Sequence, residues 1–128
     1  MIELHGVAKT FNPGKPNEFT ALKAVTLSIE PRKLTVLKGP NGSGKTTLLS
    51  IIGCMSKPTA GRARLDGREL TSLPERYLAE IRRRTFGFIF HSFNLIRGVS
   101  VLENVMLPAY PTGESPAYMR RRALDILG

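Results

Sequence analysis

The sequence predicts an α/β fold: a mainly antiparallel β-region at the N-terminus, packed on an α/β core and leading into a helical arm. Three observations predict it. Val25, Leu27 and Ile29 alternate with Thr26, Ser28 and Glu30, the period of a half-buried strand. Leu34 to Leu37 is short, apolar and partly β-branched, as a buried strand would be, and runs straight into a glycine-rich turn from Gly39 to Gly44. Thr46 to Met55 then reads as a helix, with Leu48, Leu49, Ile51 and Ile52 as its apolar face.

The remaining elements follow in order. NPGKPNEF, between Phe11 and Thr20, is rich in turn formers and predicts a hairpin loop. SKPTAG, from Ser56 to Gly61, breaks the chain after the first helix. Ala63 and Leu65 alternate with Arg62 and Arg64, and Asp66-Gly67 signals a turn. Ser72 and Glu75 have capping-box spacing, with Pro74 in the first turn of a helix whose apolar face is Tyr77, Leu78 and Ile81. Phe86 to Phe90 reads as another buried strand. Ser100 and Glu103 form a second capping box, on a helix that Pro108 stops; Ser115 and Pro116 open the last helix.

Composition narrows the function classes. The chain has 128 residues, enough for one domain with a core, and its 41% apolar content excludes wholesale disorder. A single cysteine, Cys54, excludes an internal disulfide framework and a Cys-x-x-Cys zinc site; it reads as a small buried hydrophobe. No apolar run approaches the ~18 residues needed to cross a bilayer, and the N-terminus has no signal-peptide core. A soluble or peripheral, cytosolic product is expected. Nineteen Lys and Arg against ten Asp and Glu give a net charge of +9. The arginines cluster at Arg82–Arg84 and Arg120–Arg122, in apparent helices where successive residues fan round the axis, without interleaved aromatics. A solvated face explains them better than a nucleic-acid or membrane surface. His5, on the first strand, reads as solvated.

The informative segment is Gly39-Pro40-Asn41-Gly42-Ser43-Gly44-Lys45-Thr46, which matches G-x-x-x-x-G-K-[ST] at every fixed position. Glycines let the backbone turn with positive φ and approach phosphate closely. Successive N–H groups and the start of the following helix then offer partial positive charge to the same anion. Lys45 adds a charge for the β- and γ-phosphates. The Thr46 hydroxyl suits Mg²⁺, and Thr47 suits the α-phosphate. A chance match in a chain of this length is on the order of half a percent. MgATP is therefore the expected ligand, on a P-loop NTPase core.

At GPNGSGKTTLL the chain resembles the ATP-binding subunit of an ABC transporter, and the resemblance runs through all 128 residues. ALKAVTLSIEP, KPTAGRARLDGREL and FGFIFHSFNLIRGVSVLENV resemble the segments that flank the phosphate loop in that family. RRRTFGFIF and VLENVMLP are most similar to the lipoprotein-releasing and macrolide-export branch. The resemblance implies that residues 1–85 are the β-region and phosphate-loop core, and 86–128 the Q-loop segment and start of the helical subdomain. It implies that Phe11 stacks on adenine, where the family usually has Tyr; the other reading is that Phe11 closes a small β core. It places His91 where the family has a Gln that contacts Mg²⁺ and the attacking water. A neutral imidazole can both donate and accept, but with different reach and a pKa that can charge it. His91 as a plain polar residue at a strand end is the competing reading. Arg32 stands where the family usually has Gly.

The resemblance also implies partners. These are transmembrane permease subunits and a second ATP-binding subunit in a head-to-tail dimer, peripheral to the cytoplasmic face of the inner or plasma membrane. The family's LSGGQ-type signature, Asp-Glu strand end and switch His have no match here. The chain therefore resembles the N-terminal half of such a subunit, apparently truncated, and hydrolysis is expected of the full-length dimer only. No residue here stands as the catalytic base. Two other readings stay open: a DNA-associated P-loop ATPase of the chromosome-maintenance or repair type, and a non-hydrolysing ATP-binding fragment. Unpaired strand edges and bare apolar faces are expected of the 128-residue chain alone.

Overall fold

The first hairpin forms where the sequence places its turn residues. In the computed structural model, which describes residues 1–128, β1 (Ile2–Phe11) and β2 (Phe19–Ile29) pair antiparallel across the Asn12–Glu18 loop. β3 (Ala60–Leu65) joins the other side of β1, and a two-residue β4 (Arg68–Glu69) follows the Asp66-Gly67 turn. The sheet order is β2-β1-β3-β4, and every pairing is antiparallel.

Two units make up the chain, Met1–Arg82 and Arg83–Gly128. In the first, Leu4 and Val7 of β1, Leu22 of β2 and Ala63 of β3 are buried. So are Leu48, Ile51 and Ile52 of α1 (Lys45–Ile52), Cys54, Leu70, and Leu78 of α2 (Glu75–Thr85). No polar side chain is buried. Leu4 and Val7 are fully enclosed, each stabilising the fold by about 1.5–3 kcal/mol relative to exposure. Gly61 permits the tight β1–β3 crossing: its φ is +86°, and a Cβ there would sit 2.3 Å from the Gly6 carbonyl oxygen. Arg82 ties α2 to the turn that follows α1, donating to the Cys54 carbonyl, and within α2 it donates at 2.7 Å to Glu75 Oε1.

The second unit holds α3 (Val101–Met106), a 3-10 turn over Leu107–Thr112 and α4 (Pro116–Leu127). Ser100 caps α3 in the predicted box: its hydroxyl accepts from the Glu103 N–H, and the Glu103 carboxylate accepts from the Ser100 N–H at 2.7 Å. Ser115 caps α4, with Pro116 in the first turn. Met119 and Ala123 are its buried residues.

Three expectations need correction. Leu34–Leu37 is not a buried strand: it pairs with nothing, and Leu34 is 93% exposed. Phe86–Phe90 keeps an alternating spacing, its rings in a file with centroids 6.2 and 5.9 Å apart, but it too forms no ladder, and Ile89 is fully exposed. Both segments have strand composition, yet a strand's hydrogen bonds come from a neighbour, and residues 1–128 place none beside them. The Ser72 box does not form either. α2 begins at Glu75, so Glu75 stands at the helix start and not three residues inside it; its carboxylate pairs with Arg82. Leu78 N–H bonds to the Pro74 carbonyl at 3.3 Å, which places the helix entry at Pro74.

Two outcomes follow for the isolated 128-residue polypeptide. The apolar side chains of Leu34, Val36, Ile89 and Phe93 stand open, so it should self-associate; light scattering on a sizing column checks this, and a monodisperse monomer with a cooperative melt would contradict it. Hydrogen bonds from the Ser100 side chain and backbone hold the Glu103 pKa below the ordinary glutamate value. A carboxyl depressed in the folded state stabilises above its unfolded pKa and loses that contribution as pH falls through the lower folded value. α3 should therefore keep its first turn near neutrality and fray as acid protonates that carboxyl, below the ordinary glutamate range. A carbon-detected titration of Glu103 should show the low midpoint, and Ser100→Ala, which removes the hydroxyl bond and keeps the backbone one, should raise it part of the way to the ordinary value.

Candidate functional site

Gly44 decides where the phosphate loop meets the fold. It is the N-cap of α1, with φ +88° in the left-handed region. A Cβ there would lie 2.5 Å from the Ala21 carbonyl oxygen and 2.7 Å from Leu22 Cδ2 of β2, so only glycine lets the helix start this close to the sheet. The first intrahelical bond runs from Leu48 N–H to the Gly44 carbonyl at 2.8 Å. The N–H groups of Lys45, Thr46 and Thr47 therefore lie in the first turn without an intrahelical acceptor. Gly44 has no side chain to cap them, and the first turn carries no acidic residue. An uncapped, acid-free helix start is an electropositive pole facing outward.

The loop before it is a tight turn, with Ser43 N–H bonded to the Pro40 carbonyl at 3.3 Å and Gly42 at φ +79°. Pro40, Asn41, Gly42 and Ser43 are exposed. Lys45 folds back over this turn. Its ammonium donates to the carbonyls of Gly39 (2.8 Å) and Pro40 (2.7 Å) and reaches Ser43 Oγ at 3.4 Å. Thr46 is exposed at the helix start and Thr47 half-buried. The structure thus brings Gly39 to Thr47 together as one surface of N–H donors, hydroxyls and one ammonium. Such a surface can bind a polyanion and offer a hydroxyl to its counter-cation.

Phe11 ends β1 opposite Phe19 and is 41% exposed, so it does not close a β core. His91 is exposed in an irregular stretch of the second unit. Arg32 adopts φ +60°, a conformation that costs a non-glycine residue roughly 1–2 kcal/mol, which explains why glycine suits that turn. Cys54 is buried, and burial pushes its thiol pKa up despite the nearby Arg82 guanidinium; it is a packing residue with little thiolate character. His5 is exposed, as expected.

Other polar ties left no mark in the local sequence. Thr59 bonds to the backbone of Thr10, 49 positions away. Asn104 of α3 clamps the preceding loop, accepting from Ile96 N–H (2.8 Å) and donating to the carbonyls of Ile96 (3.2 Å) and Ser100 (3.1 Å). No helix is long and apolar enough to cross a membrane.

Known proteins agree with this geometry. The ABC transporter family matches residues 22–127. A macrolide export ATP-binding/permease protein, MacB, of Marinobacter nauticus is 40% identical over 99% of this chain, and its counterpart in Brucella abortus is 42% identical over the same share. The pyoverdine export ATP-binding/permease protein PvdT of Pseudomonas entomophila is 39% identical. The chain spans about a fifth of the length of these relatives (20%, 20% and 19%). Among solved structures, the ATP-binding cassette MJ0796, a dimer in a post-hydrolysis state bound to ADP and Pi, superposes with a TM-score of 0.87 at 41% identity. The match covers 98% of this chain and 55% of that one. The family match across most of the chain, the export relatives and the shared cassette fold agree: this chain belongs to the ABC transporter family, within its ATP-binding part.

Proposed function

We propose that this chain binds MgATP as the nucleotide-binding part of an ABC exporter, and that the full-length protein hydrolyses ATP to drive transport. The observation that carries this reading is the start of α1: three first-turn N–H groups without a cap or an acid, with the Lys45 ammonium held over the same loop. In this reading Gly39–Gly44 and the first-turn N–H groups cradle the phosphates. Lys45 would exchange its loop carbonyls for β- and γ-phosphate oxygens, the Thr46 hydroxyl would hold Mg²⁺ and Thr47 would hold the α-phosphate. Phe11 offers a ring face to adenine.

Hydrolysis needs a base and closing donors beyond these residues, supplied by the rest of the protein and a second cassette. By its resemblance to the family's Gln, His91 would be the residue that senses Mg²⁺ and the attacking water in the full-length protein. Membrane-embedded permease segments are the partners; the export relatives and the dimeric cassette support both partnerships. The same relatives favour export over a DNA-associated ATPase.

In the full chain, Lys45→Ala should abolish MgATP binding measured by titration calorimetry and leave the circular dichroism spectrum unchanged; undiminished affinity would sink the reading. His91→Gln should raise the hydrolysis rate of the full-length protein while nucleotide affinity stays put. An unmoved rate would remove His91 from that role.

A further inference from the structure

Thr59 extends the β1–β3 ladder past its last paired residues with both its backbone and its side chain. β1 and β3 pair up to Ala8 opposite Ala60. Thr59 N–H adds a bond to the Ala8 carbonyl at 2.8 Å. Its hydroxyl then takes the place of a further strand residue, accepting from Thr10 N–H at 3.0 Å and donating to the Thr10 carbonyl at 3.2 Å. A hydroxyl can do both at once, and an alkyl group neither. Both main-chain groups of the residue before Phe11 are thereby held. On the β2 side, Thr10 Oγ1 bonds to Thr20 Oγ1 at 3.0 Å.

The same turn holds a cation against the ring. Lys9 Nζ donates to the Lys57 carbonyl at 2.7 Å and lies 5.2 Å from the Phe11 centroid, within cation–π reach. Lys57 is anchored in turn, its ammonium donating to the Leu73 carbonyl at 2.6 Å. One face of the ring is thus covered by a fixed charge, while Phe11 stays 41% exposed.

We propose that Thr59 and Lys9 are positioning residues for Phe11: the Lys57–Thr59 turn fixes the strand end and sets the ring so that the face away from Lys9 receives the nucleobase. This rests on the reading of Phe11 as a base platform given above. Thr59 touches no nucleotide in it; its effect passes through Thr10 and the ring. Binding of the base should then depend on the Thr59 hydroxyl, and binding of the phosphates should not.

Calorimetry on the full chain with two probes, MgATP and inorganic tripolyphosphate with Mg²⁺, separates these effects. Thr59→Val removes the hydroxyl and keeps the shape, and Thr59→Ser keeps the hydroxyl. Phe11→Ala should weaken MgATP about tenfold and Thr59→Val about threefold, in line with the size of base–aromatic stacking. Thr59→Ser should bind as wild type, and tripolyphosphate affinity should not move in any variant. Thr59→Val in a Phe11→Ala background should add no further loss. Wild-type MgATP affinity in Thr59→Val would overturn the positioning role and leave the base platform standing. Equal losses for both probes would reduce Thr59 to a structural residue and likewise overturn it. Unchanged MgATP affinity in Phe11→Ala would bring down the platform and this inference together.

Discussion

The contact between Gly44 and β2 governs the rest of the site. A helix that begins 2.5 Å from a strand carbonyl, measured to the position of a Cβ, has no room for any side chain at its cap. The helix therefore starts without the oxygen that Ser, Thr, Asp or Asn would supply. Its first-turn N–H groups must then be satisfied from outside the helix. Close packing of helix on sheet and readiness to bind an anion thus share one cause. The buried row of Leu48, Ile51 and Ile52 keeps the contact tight from the other end. Any change that lifts α1 off the sheet would release the constraint that leaves the N–H groups bare.

How much of the fold the sequence reveals depends on where each element finds its partners. The β1–β2 hairpin, the β3–β4 turn, the Ser100 box and the Ser115 cap were all legible, because their determinants lie within a few residues of one another. Leu34–Leu37 and Phe86–Phe90 misled, because strand composition states a preference and pairing needs a neighbour. Apolar side chains in both segments consequently stand open to solvent, Leu34 at 93% and Ile89 at 103%. Ser72 and Glu75 had the right spacing for a box. The pair of Glu75 with Arg82, two turns along α2, competes for the same carboxylate, and Pro74 starts the helix later.

The candidate site was legible to a different depth at each residue. Fixed spacing alone marked Gly39 to Thr46 as a candidate cradle, because such a cradle is built from consecutive backbone groups, and Thr47 followed as the next residue of the same helix start. Phe11 and His91 came only through resemblance, since a lone aromatic and a lone imidazole carry no spacing signal. Thr59 and Lys9 were invisible: their partners lie 49 and 48 positions away, and threonine and lysine are ordinary turn and strand-end residues. Tertiary pairing alone turns them into supports for a ring. Arg32 shows the reverse case, where the resemblance marked a glycine position and its φ of +60° supplies the reason.

The +9 charge looks different once its partners are known. Arg82 is committed to the Cys54 carbonyl and Glu75, Arg83 donates to the Pro111 carbonyl, and Arg64 pairs with Glu69. Arg76 and Arg121 lie over the rings of Tyr77 and Tyr118. These arginines act as local ties, each partly exposed and worth little alone. The positive charge with a chemical consequence sits elsewhere, in one ammonium and three uncapped amides at the start of α1. No acid in that first turn offsets them, so a polyphosphate meets attraction there without a competing carboxylate. Any attraction for an anion at that helix start thus comes from local groups that no acid offsets, and the net charge of the chain says little about it.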